Sequence, residues 1–178
     1  MENRFAGLFP FERAAALFFY RSGSEISELM QDLKYRHYKG LARYMGRIMG
    51  EELLLSDFLR DINVIVPVPM HFIKKSKRGY NQTEELALGM SEETGIPIKL
   101  ALKAIRPHKS QTTLNLGQRR ENLKNVFSIR PKHHLDGKHI LLLDDVCTTG
   151  TTLTEAAETI LKSNSHTKIS LLTLGVTF

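Results

Sequence analysis

The chain contains one cysteine, Cys147, in 178 residues. A lone cysteine excludes an intrachain disulfide and a cysteine-built zinc cluster, and it fits the reducing cytoplasm. No apolar run reaches the roughly 18 residues of a membrane-crossing helix, which argues against a transmembrane span. The opening stretch, MENRFAGLFPFERAAALFFY, mixes acids with short apolar runs and lacks the basic start and cleavage pattern of a secretion signal. Internal repeats and low-complexity tracts are absent. Aromatic side chains are missing from residues 104–125, which removes the stacking platforms that strong single-strand nucleic-acid binding uses.

What remains is enough for a sizeable core: apolar residues make up 42% of the chain, most simply as one domain. The formal net charge of +6 suits anionic ligands, polyphosphates and nucleic acid alike, and solubility accounts for it equally well.

The most informative stretch is 140–152, ILLLDDVCTTGTT. Ile140 to Leu143 read as a buried parallel strand, ending at two carboxylates, Asp144 and Asp145. A short loop of Val146, Cys147, Thr148, Thr149 and Gly150 leads at Thr151 and Thr152 into an amphipathic run with Leu153, Ala156, Ala157, Ile160 and Leu161 at helical spacing. A helix start carries N–H groups without internal partners and the positive end of the helix dipole, so it favours phosphate. The threonines add hydroxyls, and glycine permits a tight turn. Carboxylates repel phosphate but accept hydrogen bonds from sugar hydroxyls. Acids and loop together therefore point to a sugar phosphate.

Taken in order, residues 1–23 are too apolar for a free tail and read as a strand, a hairpin or an interface. A helix is expected from about Ser24 as its cap, with Ile26, Leu29, Met30 and Leu33 in its stripe. A second follows Gly40, with Leu41, Tyr44, Met45, Ile48 and Met49. Residues 63–66 form a β-branched strand closed by Pro67-Val68-Pro69, a stiff turn. Met70 and the basic segment Lys74, Lys75, Lys77, Arg78 come next. Asn81 or Thr83 is expected to cap a helix running to Gly95, and strands are expected at 98–103 and 126–129. Asp136-Gly137 marks a turn, and 169–176 reads as a final strand. Strands alternating with helices imply an α/β fold, a mostly parallel sheet flanked by helices, with ligands beyond the carboxyl ends of its strands. The turn after 66 and the loop after 143 both fall at such ends. The first offers a second phosphate group a stiff turn, Val68, Pro69 and Met70, followed by cations, Lys74, Lys75, Lys77 and Arg78.

The 140–152 stretch resembles the signature of type I phosphoribosyltransferases, which bind phosphoribosyl pyrophosphate (PRPP). The chain is further similar to the ComF family, including its GntX-type members. Val66-Pro67-Val68-Pro69 with Arg78-Gly79-Tyr80-Asn81-Gln82 matches that family's turn and basic motif. Gln111-Thr112-Thr113-Leu114 with Arg119, Asn122 and Phe127 matches its mobile segment, and Leu33-Lys34-Tyr35 matches an early element. Two departures stand out. The cysteine-rich zinc ribbon that begins many members is not found within these residues, and His108 stands where threonine is common.

The resemblance implies a type I phosphoribosyltransferase-like fold, with 1–60 as an N-terminal hood and helical region and 61–178 as the core of one unit. It implies Asp144 and Asp145 on the ribose hydroxyls, touching Mg²⁺ through water, with Val146 to Thr152 on the 5′-phosphate. Pyrophosphate is then expected at residues 68–78. Arg106, Lys109 and Gln111 are expected in a lid over residues 104–120, and Lys34 at the hood. The implied reaction is Mg²⁺-dependent transfer of a phosphoribosyl group, with pyrophosphate released. Two alternatives stand beside it. One is a non-catalytic competence or DNA-utilisation protein that binds single-stranded DNA or a helicase-like partner. The other is a regulator that senses PRPP. The acceptor and any homo-oligomer stay open, and Cys147 reads as a space-filler rather than a nucleophile.

Overall fold

The computed structural model describes residues 1–35, 38–106, 125–131, 133–164 and 166–177, without the side chains of Lys34, Tyr35 and Lys77. A short 3₁₀ turn at Glu2–Arg4 precedes β1 (Ala14–Tyr20). The helices α1 (Glu25–Tyr35) and α2 (Lys39–Leu54) follow, then β2 (Val64–Pro67). Helices α3 (Phe72–Arg78) and α4 (Gln82–Thr94) lead to a pair of three-residue strands, β3 (Leu102–Ala104) and β4 (Phe127–Ile129). The chain then runs through β5 (His139–Cys147), α5 (Thr151–Ser163) and β6 (Lys168–Thr177).

The main sheet has the order β1-β6-β5-β2, and every pairing in it is parallel. This is the α/β architecture expected from the alternating elements. β5 lies in the interior between β6 and β2, which is why Ile140 to Leu143 are apolar without alternation: a central parallel strand is covered on both faces. β1 comes from the apolar opening stretch, and its register of Ala14 with Leu171 and Tyr20 with Thr177 makes it a full edge strand of the sheet. The expected strand at 98–103 is shorter. Residues 97–99 exchange two hydrogen bonds with Ile65 (Ile65 N–H to Pro97 O and Lys99 N–H to Ile65 O, both 2.9 Å), and regular pairing begins only at Leu102, with β4.

Each face of the sheet has its own core. One holds Ile140, Leu142, Ile169 and Leu171 under Leu153, Ala156, Ala157 and Ile160 of α5, together with Phe5 and Phe9 from the first residues. The other holds Ile65, Leu141, Leu143, Leu172 and Leu174 under Met30 and Leu33 of α1, Met45 and Met49 of α2, and Leu86, Ala87 and Met90 of α4. Helices α2 and α4 cross at glycines. A Cβ built on Gly46 would collide with the Leu86 carbonyl, and one on Gly89 with the Arg43 carbonyl. The absent side chains let two backbones touch.

At the foot of β5, His139 is 7% exposed and its Nε2 lies 2.9 Å from Ser170 Oγ. Burial lowers its pKa from 6.5, followed by the charge of Arg13; Glu12 opposes them, and Lys168 and Asp61 act less, in opposite directions. The folded imidazole therefore stays neutral where the unfolded one takes a proton. Stability should be full above about pH 6.5 and fall as pH drops through that value towards the folded pKa. Urea midpoints at pH 7.5 and 5.5 should fall further for the wild type than for His139→Gln; equal falls would assign the acid sensitivity elsewhere.

Candidate functional site

Parallel strands bring their carboxyl ends to one edge: Cys147 of β5 ends beside Val176 of β6, and β2 ends earlier, at Pro67 beside Leu143. Pro67 pairs with Leu143, and the Val68 N–H donates to Leu143 O at 2.8 Å. The two stretches singled out in the sequence, 68–78 and 144–152, thus begin side by side, the first leaving the sheet where β5 runs on into Asp144.

β5 runs further than the apolar residues indicate. Its pairing with β6 continues through Asp144 with Thr173 to Cys147 with Val176, so the two acids lie within the strand rather than beyond it. Asp144 is 8% exposed and Asp145 half-buried. Asp144 Oδ1 accepts from the Asp145 N–H at 2.9 Å, and Asp145 Oδ1 from the Val146 N–H at 2.7 Å. Each carboxylate uses its Oδ1 to hold the next peptide, which fixes its orientation. Val146 packs on the α4-side core and Cys147 on the α5-side core.

Thr148 is exposed, Thr149, Thr151 and Thr152 are half-buried, and Gly150 is the N-cap of α5. Gly150 has φ +81°, a left-handed conformation that glycine adopts without cost, and as a glycine it brings no capping side chain of its own. Thr149 and Thr151 share a hydroxyl hydrogen bond of 2.8 Å. A helix start beside a turn of hydroxyls has the dipole and the outward N–H direction that favour an anion.

Burial raises the Cys147 thiol pKa above 9.0. Hydrogen bonds from Arg4 and the Gly150 N–H, with the Arg4 charge, only partly offset it. A thiol held protonated is a poor nucleophile, in line with its reading as a space-filler. Alkylation by iodoacetamide at pH 8 should run about tenfold or more slower in the folded chain than in urea; equal rates would contradict this burial.

The turn at Pro67-Val68-Pro69 leads through half-buried Met70 into α3. The basic run is a helix rather than an open loop. His71 caps it, its Nδ1 accepting from the Ile73 N–H at 3.4 Å, and Gly79 ends it in the left-handed conformation. Lys75 pairs with Glu84 at 2.7 Å; Lys74 and Arg78 are half-buried, and the Lys77 side chain lies outside the description.

The motif after α3 has a part the sequence did not reveal. Asn81 caps α4 by accepting from the Thr83 N–H (3.2 Å), and its Nδ2 donates to Val68 O (3.2 Å), holding the turn. On either side of it, Tyr80 Oη and Gln82 Nε2 both donate to Leu33 O, at 2.7 and 3.0 Å. Burial and the Glu85 carboxylate raise the Tyr80 pKa, which keeps its hydroxyl a donor. Three consecutive residues thereby join the turn to the end of α1, next to Lys34, whose side chain lies outside the description.

The expected lid springs from the β3–β4 hairpin. Ile105 N–H donates to Val126 O (2.8 Å), and Asn125 N–H to Glu155 Oε1 of α5 (2.6 Å). Arg106 is exposed at the start of this segment; Lys109 and Gln111 lie outside the described residues. Among the described residues, no group of three or more His, Cys, Asp or Glu is placed to hold a metal ion. Sequence reasoning also missed Arg4 and Phe5. The Arg4 guanidinium donates to Cys147 O, Thr148 O and Thr177 O, and Phe5 packs under Gly150.

This edge, with a strand ending in acids, a threonine loop and a basic turn, belongs to a known class. The sequence profile of the family described as "Phosphoribosyl transferase domain" matches residues 46–174, and the chain belongs to that family. Its relatives narrow the branch. The chain is 31% identical over 142 residues to "Competence protein F" of Haemophilus influenzae, covering 77% of this chain and 62% of that one. It is 30% identical to "DNA utilization protein YhgH" of Salmonella typhimurium, covering 80% and 63%. It is 29% identical to "Competence protein ComFC" of Bacillus subtilis, covering 62% and 43%. The chain spans less than two thirds of the length of these relatives, and their names agree with the ComF-type resemblance read from the four motifs.

Proposed function

We propose that the chain binds PRPP with Mg²⁺ and transfers its phosphoribosyl group to an acceptor. One observation carries this reading: the acid–threonine stretch 144–152 and the basic turn 68–78 meet at one sheet edge, through the 2.8 Å bond from Val68 to Leu143. The 5′-phosphate is assigned to the start of α5, the ribose hydroxyls to Asp144 and Asp145, and the pyrophosphate to Val68, Pro69, Met70 and the cations of α3. The acceptor attacks ribose C1 as the bond from C1 to the pyrophosphate oxygen breaks, and pyrophosphate leaves with the electron pair. Fixed cations stabilise that charge best when water is excluded. Residues 104–120 would close over the ligand, and residues 1–60, with Lys34, would form the hood.

Two neighbouring carboxylates, with no third His, Cys, Asp or Glu grouped with them among the described residues, suit Mg²⁺, which keeps several waters and takes its remaining oxygens from a phosphate substrate. Bound Mg²⁺ would neutralise charge on the departing pyrophosphate. No helix among the described residues is long and apolar enough to cross a membrane, and a buried thiol fits the cytoplasm proposed here. Calorimetric titration with PRPP, with and without Mg²⁺, is the direct test. Saturable Mg²⁺-dependent binding supports the reading, and no heat with either ends it.

A second reading has its own observation. On basic α3, Phe72 is 70% and Ile73 42% exposed, an apolar pair among Lys74, Lys75 and Arg78. An exposed ring beside cations suits single-stranded DNA, and two of the relatives are named for competence. Fluorescence anisotropy with a labelled oligonucleotide across a salt series would decide. Affinity that falls with salt and with Phe72→Ala supports it, and no binding at low salt removes it.

A further inference from the structure

The segment Met1–Phe11 lies far in sequence from the phosphate loop, and no motif accounts for its contacts there. Arg4 Nη1 donates to Cys147 O at 3.2 Å and to Thr148 O, and its Nη2 donates to Thr177 O at 2.7 Å. The same guanidinium approaches Cys147 Sγ at 3.9 Å. One side chain thus gathers two consecutive carbonyls of the loop and one from the adjacent strand. Phe5, fully buried, sits so close to Gly150 that a Cβ there would lie 2.8 Å from its ring. Phe9 and Phe11 hold that ring edge-on, with centroids 6.0 and 6.2 Å away.

The peptide bond is planar and trans, so a carbonyl and the N–H of the next residue point in opposite directions. Turning Cys147 O and Thr148 O towards Arg4 therefore turns the N–H groups of Thr148 and Thr149 away from it. Successive N–H groups presented together form an anion-binding concavity, here leading into the start of α5 at Gly150. A lysine cannot replace this grip, because only the planar guanidinium fork spans several fixed acceptors at once. Phe5 supports the other end of the loop, at the residue whose left-handed turn begins the helix.

We infer that Arg4, backed by Phe5, is a positioning residue for the phosphate loop, setting which way its N–H groups face and so how tightly it holds a sugar 5′-phosphate. This rests on the proposed assignment of that loop to the 5′-phosphate. A merely structural role would weaken every ligand together through loss of folded protein. A positioning role weakens only the ligand that the loop holds.

The experiment titrates ribose 5-phosphate and inorganic pyrophosphate separately into wild type, Arg4→Ala, Arg4→Lys and Phe5→Leu, each with its thermal midpoint measured. Arg4→Ala should lose about tenfold in affinity for ribose 5-phosphate, and Arg4→Lys and Phe5→Leu several-fold, with pyrophosphate affinity unchanged within about twofold. Equal losses for both ligands, or no loss for ribose 5-phosphate, would overturn the inference. Should Arg4→Ala not fold, Arg4→Lys carries the same test, and wild-type affinity in that variant overturns it. A wild type that binds neither ligand sinks the functional reading and this inference with it. A wild type that binds both, with variants that lose nothing, sinks the inference alone.

Discussion

Gly89→Ala should destabilise the fold by about 3 kcal/mol, and Gly46→Ala by a similar amount, while Gly40→Ala should be neutral or slightly stabilising. All three are helical glycines, so propensity alone favours alanine at each by roughly 0.5–1 kcal/mol. Packing decides the sign. At Gly40 a Cβ would meet nothing within 4 Å, whereas at Gly46 and Gly89 it would strike a backbone carbonyl of the facing helix. Backbone cannot move aside as a flexible side chain does. Relief requires α2 and α4 to separate, opening the core of Met45, Met49, Leu86 and Met90. For a chain of this size each kcal/mol is worth roughly 2–4 °C, so thermal melts should show a drop on the order of 10 °C for Gly89→Ala. A melting temperature within a degree or two of wild type would mean that the helices do not cross at these glycines.

The second large effect concerns ligand rather than fold. The double variant Asp144→Asn, Asp145→Asn should lose about a hundredfold or more in PRPP affinity, since two charge-assisted contacts are worth roughly 3 kcal/mol together at the low end. Asparagine keeps the Oδ1 that accepts from Asp145 N–H and Val146 N–H, so the strand end should survive and the melting temperature should barely change. The sign makes this variant informative. Two carboxylates repel a polyanion through space, and removing them should by that effect alone strengthen binding of PRPP and of pyrophosphate. Weaker PRPP binding with equal or tighter pyrophosphate binding is the signature of acids that hold sugar hydroxyls. Tighter binding of both would leave the acids no ribose role.

The parts of this site that were legible in the sequence are the local ones. Strand, acids, threonines and helix start fall within thirteen consecutive residues, and each has a short-range physical reason. Asn81 was readable as a cap for the same reason, but its second bond, to Val68, was not. Helix α3 was hidden because four cations in seven residues mask any apolar period; its formation depends on His71 and Gly79 at its ends. The glycines of α2 and α4 carry no signal alone, because a missing side chain matters only against a particular neighbour. Arg4 and Phe5 were beyond reach, since their partners lie more than 140 residues away. The expectations for Lys109 and Gln111 fall outside the described residues.

The register of β1 bears on how the chain reaches this state. Its partner, β6, arrives about 150 residues later, and pairings between distant segments form slowly because the loop must close before any contact repays it. While the chain is being synthesised, Ala14–Tyr20 has no strand to join, and Arg4 and Phe5 have no loop to grip. An apolar edge strand therefore waits exposed until β6 has left the ribosome, as a segment for a chaperone to shield or for a neighbouring chain to capture.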